Sequence, residues 1–197
     1  MSQMTMTASS GNSEKSGKSE WSAKDLAFTA MFAALIAVCS WISIPTAVPF
    51  TLQTFAIYCA LECLGGKRGF FSVLVYILLG AVGVPVFAGF SGGLGVILGT
   101  TGGYILGFLA NAAVYWAFEK LPHHEKLWMR LIALVLGTVL CYVFGTAWFM
   151  FVYAKQVEAI DLGTALSWCV TPFLGSNVLK LALAILISDR VRKYVKF

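Results

Sequence analysis

The stretch that decides the fold is VTPFLGSNVLKLALAILIS, residues 170–188, in which Lys180 interrupts an otherwise apolar run. About ten residues separate Lys180 from either end of the run, which is roughly 15 Å of helix on each side. A cation at that depth in a bilayer costs on the order of 2.5–3.5 kcal/mol on insertion scales. The sequence therefore predicts that Lys180 meets an anionic or strongly polar group inside the protein.

The composition of the whole chain is that of a membrane protein. Of its 197 residues, 59% are hydrophobic and 12% are charged, and the mean hydropathy is +0.82. These values exclude an ordinary soluble domain and favour one polytopic membrane domain. The net charge of +5 does not indicate a nucleic-acid partner, because the basic residues are scattered at the ends of apolar runs instead of forming one stripe.

Six apolar runs have the length expected of transmembrane helices, although the second is short. They lie at about 25–44, 50–66, 69–88, 93–118, 127–153 and 167–190. With the N-terminus inside, Lys155 is the one basic residue in an outer loop, and tryptophans fall near both ends of the spans. This pattern predicts six transmembrane helices with both termini in the cytoplasm. Residues 1–22 are expected to form a disordered tail, followed by a membrane domain over residues 23–197.

Two further residue types inside the apolar runs have ordinary interpretations. Glu62 lies close to Lys67 and Arg68, so we expect an interfacial carboxylate that snorkels towards water. The five cysteines have no histidines at metal-ligand spacing, and we expect them to be small buried hydrophobic residues. The cysteines are Cys39, Cys59, Cys63, Cys141 and Cys169.

Residues 84–108, VPVFAGFSGGLGVILGTTGGYILGF, contain the densest cluster of glycines. One group repeats every four residues and predicts a helix face along which neighbouring helices approach closely. This group is Gly95, Gly99, Gly103 and Gly107. A second group suits irregular backbone beside a cavity, where bare N–H groups can contact a polar ligand. This group is Gly89, Gly92, Gly93 and Gly102.

The first run contains two alanine pairs in AMFAALIA, residues 30–37. Ala30 and Ala34 form one pair, and Ala33 and Ala37 form the other. Small residues at this spacing favour either helix packing within the chain or docking onto another membrane protein. The sequence leaves both interpretations open.

Enzymatic interpretations fail on geometry. The segment Gly89-Phe-Ser91-Gly92 matches the pattern of an intramembrane serine protease, which needs a base beside its serine. The two histidines, His123 and His124, fall in a loop on the opposite side of the predicted membrane. A glycine-rich segment near residue 18 has the wrong spacing for a phosphate-binding loop, and we expect no cofactor and no metal.

Five segments together resemble the BioY family, the biotin-binding S component of energy-coupling-factor (ECF) vitamin transporters. They are AMFAAL at 30–35, VPFTLQTF at 48–55, GVPVFAGFSGGLG at 83–95, GTTGGYILGF at 99–108 and PFLGSNVLK at 172–180. The similarity covers about residues 24–192. It implies a six-helix subunit of the cell membrane that captures biotin from the outer side. It also implies a transmembrane coupling protein and two ATPase subunits as partners, with Ala30 and Ala34 as the contact for the coupling protein.

The resemblance implies a substrate-binding set as well. By position, Ser91 and Tyr104 match a polar contact and the tyrosine of the family's glycine-rich segments, while Asn177 and Lys180 match its helix-six pair. Gln53, Phe87 and the glycines Gly89, Gly92 and Gly93 complete the expected set. Phe90 and Trp168 are further candidates for enclosing the ring of the ligand.

Two residues depart from the family pattern. Asn177 replaces the usual aspartate, and Thr100 stands where proline is usual. Without the aspartate, the desolvation of Lys180 must be met by the ligand, by a carbonyl or water, or by loss of the proton. The sequence does not decide which end of biotin Lys180 meets. The alternatives are an S component for a different carboxylate-bearing vitamin and a membrane scaffold without a ligand.

Overall fold

The computed structural model describes residues 21–194, which form a mostly helical bundle. Within this range the elements are α1 Ala23–Trp41, β1 Ser43–Ile44, β2 Phe50–Thr51, α2 Gln53–Leu64, α3 Gly66–Ala81, α4 Leu94–Leu98, α5 Gly102–Glu119, α6 Leu127–Gln156, α7 Leu162–Cys169 and α8 Thr171–Tyr194. The predicted all-α architecture is confirmed. Of the predicted tail, residues 1–20 lie outside the described part of the chain, and Ser22 is the N-cap of α1.

The six longer helices, α1, α2, α3, α5, α6 and α8, follow the order of the six predicted runs. The helix bounds differ most from the predicted ones in two places. Helix α3 ends at Ala81 instead of residue 88, because the chain turns at Gly83, whose φ is +104°. The fourth run is broken between Leu98 and Gly102, where an added Cβ on Gly102 would lie 1.6 Å from the Ile97 carbonyl oxygen.

Three helical stretches in the described range are long and apolar enough to cross a membrane by length and composition. They are Ala23–Trp41, Leu127–Gln156 and Leu162–Tyr194, the last made of α7 and α8. Gln53–Leu64 is apolar but shorter. The orientation of the helices relative to the cytoplasm stays a prediction from the charge pattern.

A small hairpin joins α1 to α2. Strands β1 and β2 are antiparallel, with Ser43 opposite Thr51, and the connecting loop carries Val48 and Pro49. Trp41 at the end of α1 donates its indole N–H to the Pro85 carbonyl over 2.9 Å, which ties the hairpin region to the segment after α3. The hairpin therefore covers the end of the bundle at which α2 begins.

The burial pattern of α8 accounts for the position of Lys180. The buried residues of this helix recur at intervals of mainly three and four and form one face. They are Phe173, Asn177, Lys180, Ala184, Ile185 and Ser188. Lys180 lies on the same face as the apolar core residues, so the side chain must point into the bundle and not towards lipid.

The predicted glycine ridge is confirmed for two of its four members. An added Cβ would lie 2.3 Å from Trp148 Cβ at Gly103, and 2.7 Å from Cys141 Sγ at Gly107. Both glycines let α5 approach α6 closely. The prediction is wrong for Gly95, where a Cβ would meet no atom within 4 Å, and for Gly99, where it would meet only its own preceding turn.

The two alanine pairs of α1 differ in their exposure. Ala33 and Ala37 are buried within the bundle, whereas Ala30 and Ala34 are exposed. The first pair has the packing role that the sequence allowed. The second pair forms an open small-residue surface on α1.

The interfacial interpretation of Glu62 is wrong, because its side chain is completely buried. Its Oε2 accepts a hydrogen bond from Arg130 Nε over 2.7 Å and pairs with Arg130 Nη2, and its Oε1 accepts from the Tyr115 hydroxyl over 3.2 Å. Arg130 also contacts Asp189 on α8 at 2.9 Å. One carboxylate thus joins α2, α5 and α6, and its arginine partner extends the network to α8.

The five cysteines are buried and unpaired, as expected of small hydrophobic residues. Across residues 21–194, no group of three or more His, Cys, Asp or Glu side chains is placed to hold a metal ion.

Candidate functional site

Two adjoining cavities lie under the hairpin. The main cavity lies between α2, α5, α6 and α8. The side cavity lies towards α3 and the segment 87–91. Both are lined by Val48, Pro49, Thr51, Tyr104 and Phe108, so they share a wall beneath the hairpin loop.

The main cavity has mostly apolar walls with a few polar side chains. Its lining is Val48, Pro49, Thr51, Thr54, Tyr58, Tyr104, Phe108, Asn111, Thr138, Cys141, Tyr142, Cys169, Phe173, Asn177 and Lys180. Lys180 is the one lysine, arginine, histidine, aspartate or glutamate of this lining. The arrangement suits a partly apolar ligand with an anionic or strongly polar group.

Lys180 is 5% exposed and uses two of its three N–H groups within the protein. Nζ donates to the Thr51 carbonyl over 2.6 Å and to Thr54 Oγ1 over 3.2 Å. It also lies 4.4 Å from the centroid of the Phe50 ring. Of the possibilities left open by the missing aspartate, the structure therefore shows a backbone carbonyl as the main partner.

Asn177 lies one turn from Lys180 on α8, and its amide is held from two sides. Thr54 Oγ1 donates to Asn177 Oδ1 over 3.3 Å, and Asn177 Nδ2 donates to the Tyr142 hydroxyl oxygen. Both ends of the Asn177 amide are therefore hydrogen-bonded within the protein. The predicted pair Asn177 and Lys180 is thus brought together in the main cavity.

Deeper in the main cavity, α2, α5 and α6 supply a second polar group. Thr138 Oγ1 donates to the Leu134 carbonyl over 2.7 Å, so it accepts from the Tyr58 hydroxyl at 2.7 Å. It also accepts from Asn111 Nδ2 at 3.3 Å. We call Tyr58, Thr138 and Asn111 the polar floor of the main cavity.

The other predicted polar residues lie at the side cavity or between the two. Tyr104 lines both cavities and hydrogen-bonds to Thr146 Oγ1 over 2.7 Å. Gln53 lines the side cavity and donates to the Tyr76 hydroxyl over 2.9 Å. Ser91 lines the same cavity, with its hydroxyl donating to the Ala88 carbonyl over 2.8 Å.

Of the aromatic residues Phe87, Phe90 and Trp168, which were predicted to enclose the ligand ring, only Phe87 lines one of the two cavities. Phe87 lines the side cavity and packs edge-on against Tyr76, with ring centroids 5.5 Å apart. Phe90 is 64% exposed and stacks on Trp41 instead. Trp168 is 41% exposed, contacts Tyr153, and lines neither cavity.

The structure does not place the three predicted contact glycines in the lining of either cavity. Gly89 and Gly93 have positive φ values of +68° and +93°, so they shape the turn after α3. Gly92 packs against the preceding segment, where an added Cβ would lie 2.4 Å from the Val84 carbonyl oxygen. These glycines position Phe87 and Ser91 and do not themselves face the cavities.

Sequence reasoning missed most of the hydroxyl groups in the main cavity. Thr54, Thr138 and Tyr142 lie within apolar runs, where threonine and tyrosine are common and give no distinct signal. Asn111 had a usable signal, because an amide in the middle of the run 93–118 is costly in a bilayer without a partner or a task.

Comparison with known proteins gives one consistent result. A family model described as the BioY family matches residues 11–197. The biotin transporter BioY of Thermotoga maritima is 39% identical over 164 residues, which cover 83% of this chain and 92% of that protein. The probable biotin transporter BioY of Pyrococcus horikoshii is 36% identical over 172 residues, covering 86% and 97%.

A solved structure agrees with the sequence relatives. The crystal structure of the S component for biotin from an ECF-type ABC transporter matches with a TM-score of 0.75 and 28% identity. The match covers 88% of this chain and 93% of that chain. The bundle described above is therefore similar over nearly its whole length to a membrane subunit of this kind.

Proposed function

The chain belongs to the BioY family, and on that premise we propose that it is the biotin-binding S component of an ECF-type transporter. It is a multi-pass protein of the cell membrane and not an enzyme. Its task is to bind the vitamin in the main cavity and present it to the rest of the transporter. Partner subunits supply the ATP hydrolysis.

The single observation that carries this proposal is Lys180 in the main cavity. Two of its N–H groups are used by Thr51 and Thr54, so one remains for a ligand. Biotin has a neutral ureido ring, an apolar thioether ring and a carboxylate, which match one cation, several hydroxyls and amides, and apolar walls. We expect biotin to bind with high affinity, because its charged, polar and apolar parts each have a matching group in the cavity.

The direction of capture follows from the predicted orientation. The main cavity lies under the hairpin between α1 and α2, which the charge pattern puts on the outer side. Biotin therefore enters from outside, and the Glu62–Arg130 network lies towards the opposite end of α2. Release of biotin to the cytoplasm then requires a change in the conformation or orientation of the whole subunit, because the polar network blocks direct diffusion.

The exposed alanine pair supports an assembly with a transmembrane coupling protein and two ATPase subunits. Ala30 and Ala34 are exposed although alanines in α1 also form the packed face at Ala33 and Ala37. An open small-residue surface lets a second helix approach closely within the bilayer. We assign this surface to the coupling protein.

Titration of the purified full-length chain with biotin, in detergent or nanodiscs, tests the proposal. We expect tight saturable binding that is lost or weakened at least tenfold in Lys180→Ala, with helicity unchanged by circular dichroism. Lys193→Ala, at an exposed position of the same helix, is the matched control.

Binding of a different carboxylate-bearing vitamin in place of biotin would keep the transport role and change the substrate. A chain that binds no vitamin, while Lys180→Ala disturbs only complexes with other membrane proteins, would show a scaffold.

A further inference from the structure

Four aromatic side chains form a continuous patch at the end of the bundle remote from the hairpin. Trp21 precedes α1, Phe70 and Phe71 lie early in α3, and Trp116 lies near the end of α5. The Phe71 ring centroid lies 5.0 Å from that of Trp21, and the Phe70 centroid lies 5.5 Å from that of Trp116. The two phenylalanine centroids are 5.7 Å apart. All four residues are partly exposed, and we call them the aromatic patch.

Two lysines border the aromatic patch. Lys67 Nζ lies 5.3 Å from the centroid of the Trp21 ring, and Lys120 Nζ lies 5.3 Å from that of Trp116. An ammonium group over a tryptophan face is attracted by the ring quadrupole, which holds each charge at the edge of the patch. Both lysines are exposed, so their N–H groups can reach a ligand.

The carboxylates near these lysines are already engaged. Asp25 forms an ion pair with Arg68 at 2.8 Å, and it lies near Lys67 without pairing with it. Glu119 accepts a hydrogen bond from the Gly66 N–H at the start of α3 over 2.9 Å. Across residues 21–194, neither bordering lysine forms an ion pair. The two ammonium charges are therefore available to an anion from outside the chain.

An anion that matches this surface must also have an apolar part. A soluble anion such as free phosphate would contact the lysines and leave the rings uncovered. A phospholipid has both parts, since its phosphate can contact an ammonium group while its glycerol and acyl carbons cover the rings. The charge pattern puts this end of the bundle on the cytoplasmic side. The leaflet on that side contains anionic lipids, which lysines near its surface attract.

We propose that the aromatic patch, together with Lys67 and Lys120, is a binding site for an anionic phospholipid of the inner leaflet. The ammonium groups donate to phosphate oxygens, and the rings of Phe70, Phe71 and Trp116 contact the lipid carbons. Because the patch joins the starts of α1 and α3 to the end of α5, a bound lipid also ties three helix ends together. The site is separate from the two cavities under the hairpin, whose linings contain none of its residues.

Lipid binding to the purified full-length chain tests the proposal. Native mass spectrometry measures bound lipid during titrations with phosphatidylglycerol, which is anionic, and phosphatidylcholine, which is zwitterionic. Inorganic phosphate is added as a competitor, to distinguish a lipid site from a site for free phosphate. The test variant combines Lys67→Gln with Lys120→Gln.

The matched control combines Lys126→Gln with Lys193→Gln. It removes the same charge from two exposed lysines that lie over no aromatic ring of residues 21–194. Unchanged helicity by circular dichroism shows that the variants fold.

We expect the wild type to bind phosphatidylglycerol roughly tenfold or more tightly than phosphatidylcholine, since each lysine contributes about fivefold. The test variant should lose this preference to within about twofold, and the control variant should keep it. Trp116→Leu keeps both charges and should weaken phosphatidylglycerol by roughly threefold or more, because Lys120 loses the ring that holds it.

Three results would overturn the proposal. Equal binding of the two lipids by the wild type would show that the lysines do not recognise a charged headgroup. An equal loss in the control variant would show attraction to the overall positive charge instead of a site. Full displacement of phosphatidylglycerol by inorganic phosphate would show a site for free phosphate.

Discussion

The Glu62 carboxylate and the Arg130 guanidinium form a buried ion pair, with Arg130 Nε donating to Oε2 over 2.7 Å. The carboxylate is fully enclosed and the arginine side chain is 10% exposed. The pair lies at the end of α2 remote from the hairpin, and Arg130 also reaches Asp189 on α8. A single arginine therefore holds α6 to both α2 and α8 below the polar floor.

Removing one partner of this pair should be far more harmful than removing both. Arg130→Met leaves the Glu62 charge buried without compensation, which costs roughly 3–5 kcal/mol. Glu62→Leu combined with Arg130→Met removes both charges, and we expect most of that loss to be recovered. Thermal unfolding of the four chains of the cycle, purified in the same detergent, measures the coupling.

Additive losses in this cycle would contradict a specific pair. Lys126→Met is a matched control, because Lys126 precedes α6 and is exposed. It should leave the unfolding temperature unchanged.

The two halves of the glycine repeat should respond differently to substitution. Gly103→Ala places a Cβ 2.3 Å from Trp148 Cβ, so α5 and α6 must move apart, at a cost of about 1–3 kcal/mol. Gly95→Ala meets no atom within 4 Å and should change stability by no more than about 0.5 kcal/mol. Unfolding temperatures of the two variants check this difference, and equal losses would contradict the described packing.

Prediction from the sequence succeeded at positions for which few structural arrangements are physically possible. A lysine in mid-run must be buried with polar partners, and Lys180 lies on the buried face of α8 beside Thr51. The alanine spacing predicted small-residue surfaces on α1 but did not predict which of the two pairs is exposed. The break between α4 and α5 was missed because a glycine repeat reads equally well as one continuous helix.

The errors at Glu62 and in the main cavity have a common cause. The partner of Glu62 is Arg130, 68 residues away, and no local pattern links the two. The hydroxyls of Thr138 and Tyr142 serve the cavity only because α6 presents them beside Asn111 and Asn177. Such relationships depend on how helices are arranged, which a single sequence does not reveal.

The two alanine pairs of α1 should separate assembly from folding. Ala30→Leu adds bulk to the exposed surface, so we expect biotin binding to persist while affinity for the coupling protein falls by roughly tenfold or more. Ala33→Leu overfills a site that is 2% exposed and should lower the unfolding temperature instead. Co-purification with the coupling protein and ATPases, alongside biotin titration, measures both effects.

Ala113→Leu is the control for added bulk alone, since Ala113 is exposed on α5. It should affect neither property. Loss of assembly in Ala113→Leu to the same degree as in Ala30→Leu would mean that the α1 surface has no particular role.

The departure at Asn177 gives a test of hydrogen-bond direction in the main cavity. An aspartate at this position cannot donate, so in Asn177→Asp the Tyr142 hydroxyl would turn and donate to the carboxylate. The Tyr142 proton would then no longer be available to a ligand in the main cavity. Tyr142→Phe should weaken biotin roughly three- to tenfold in the natural chain but by less than about twofold in the Asn177→Asp background. The double-mutant cycle is read from titrations and does not depend on how strongly Asn177→Asp alone binds. An equal effect of Tyr142→Phe in both backgrounds would show that the Tyr142 proton never faced the ligand, since an aspartate would have captured it.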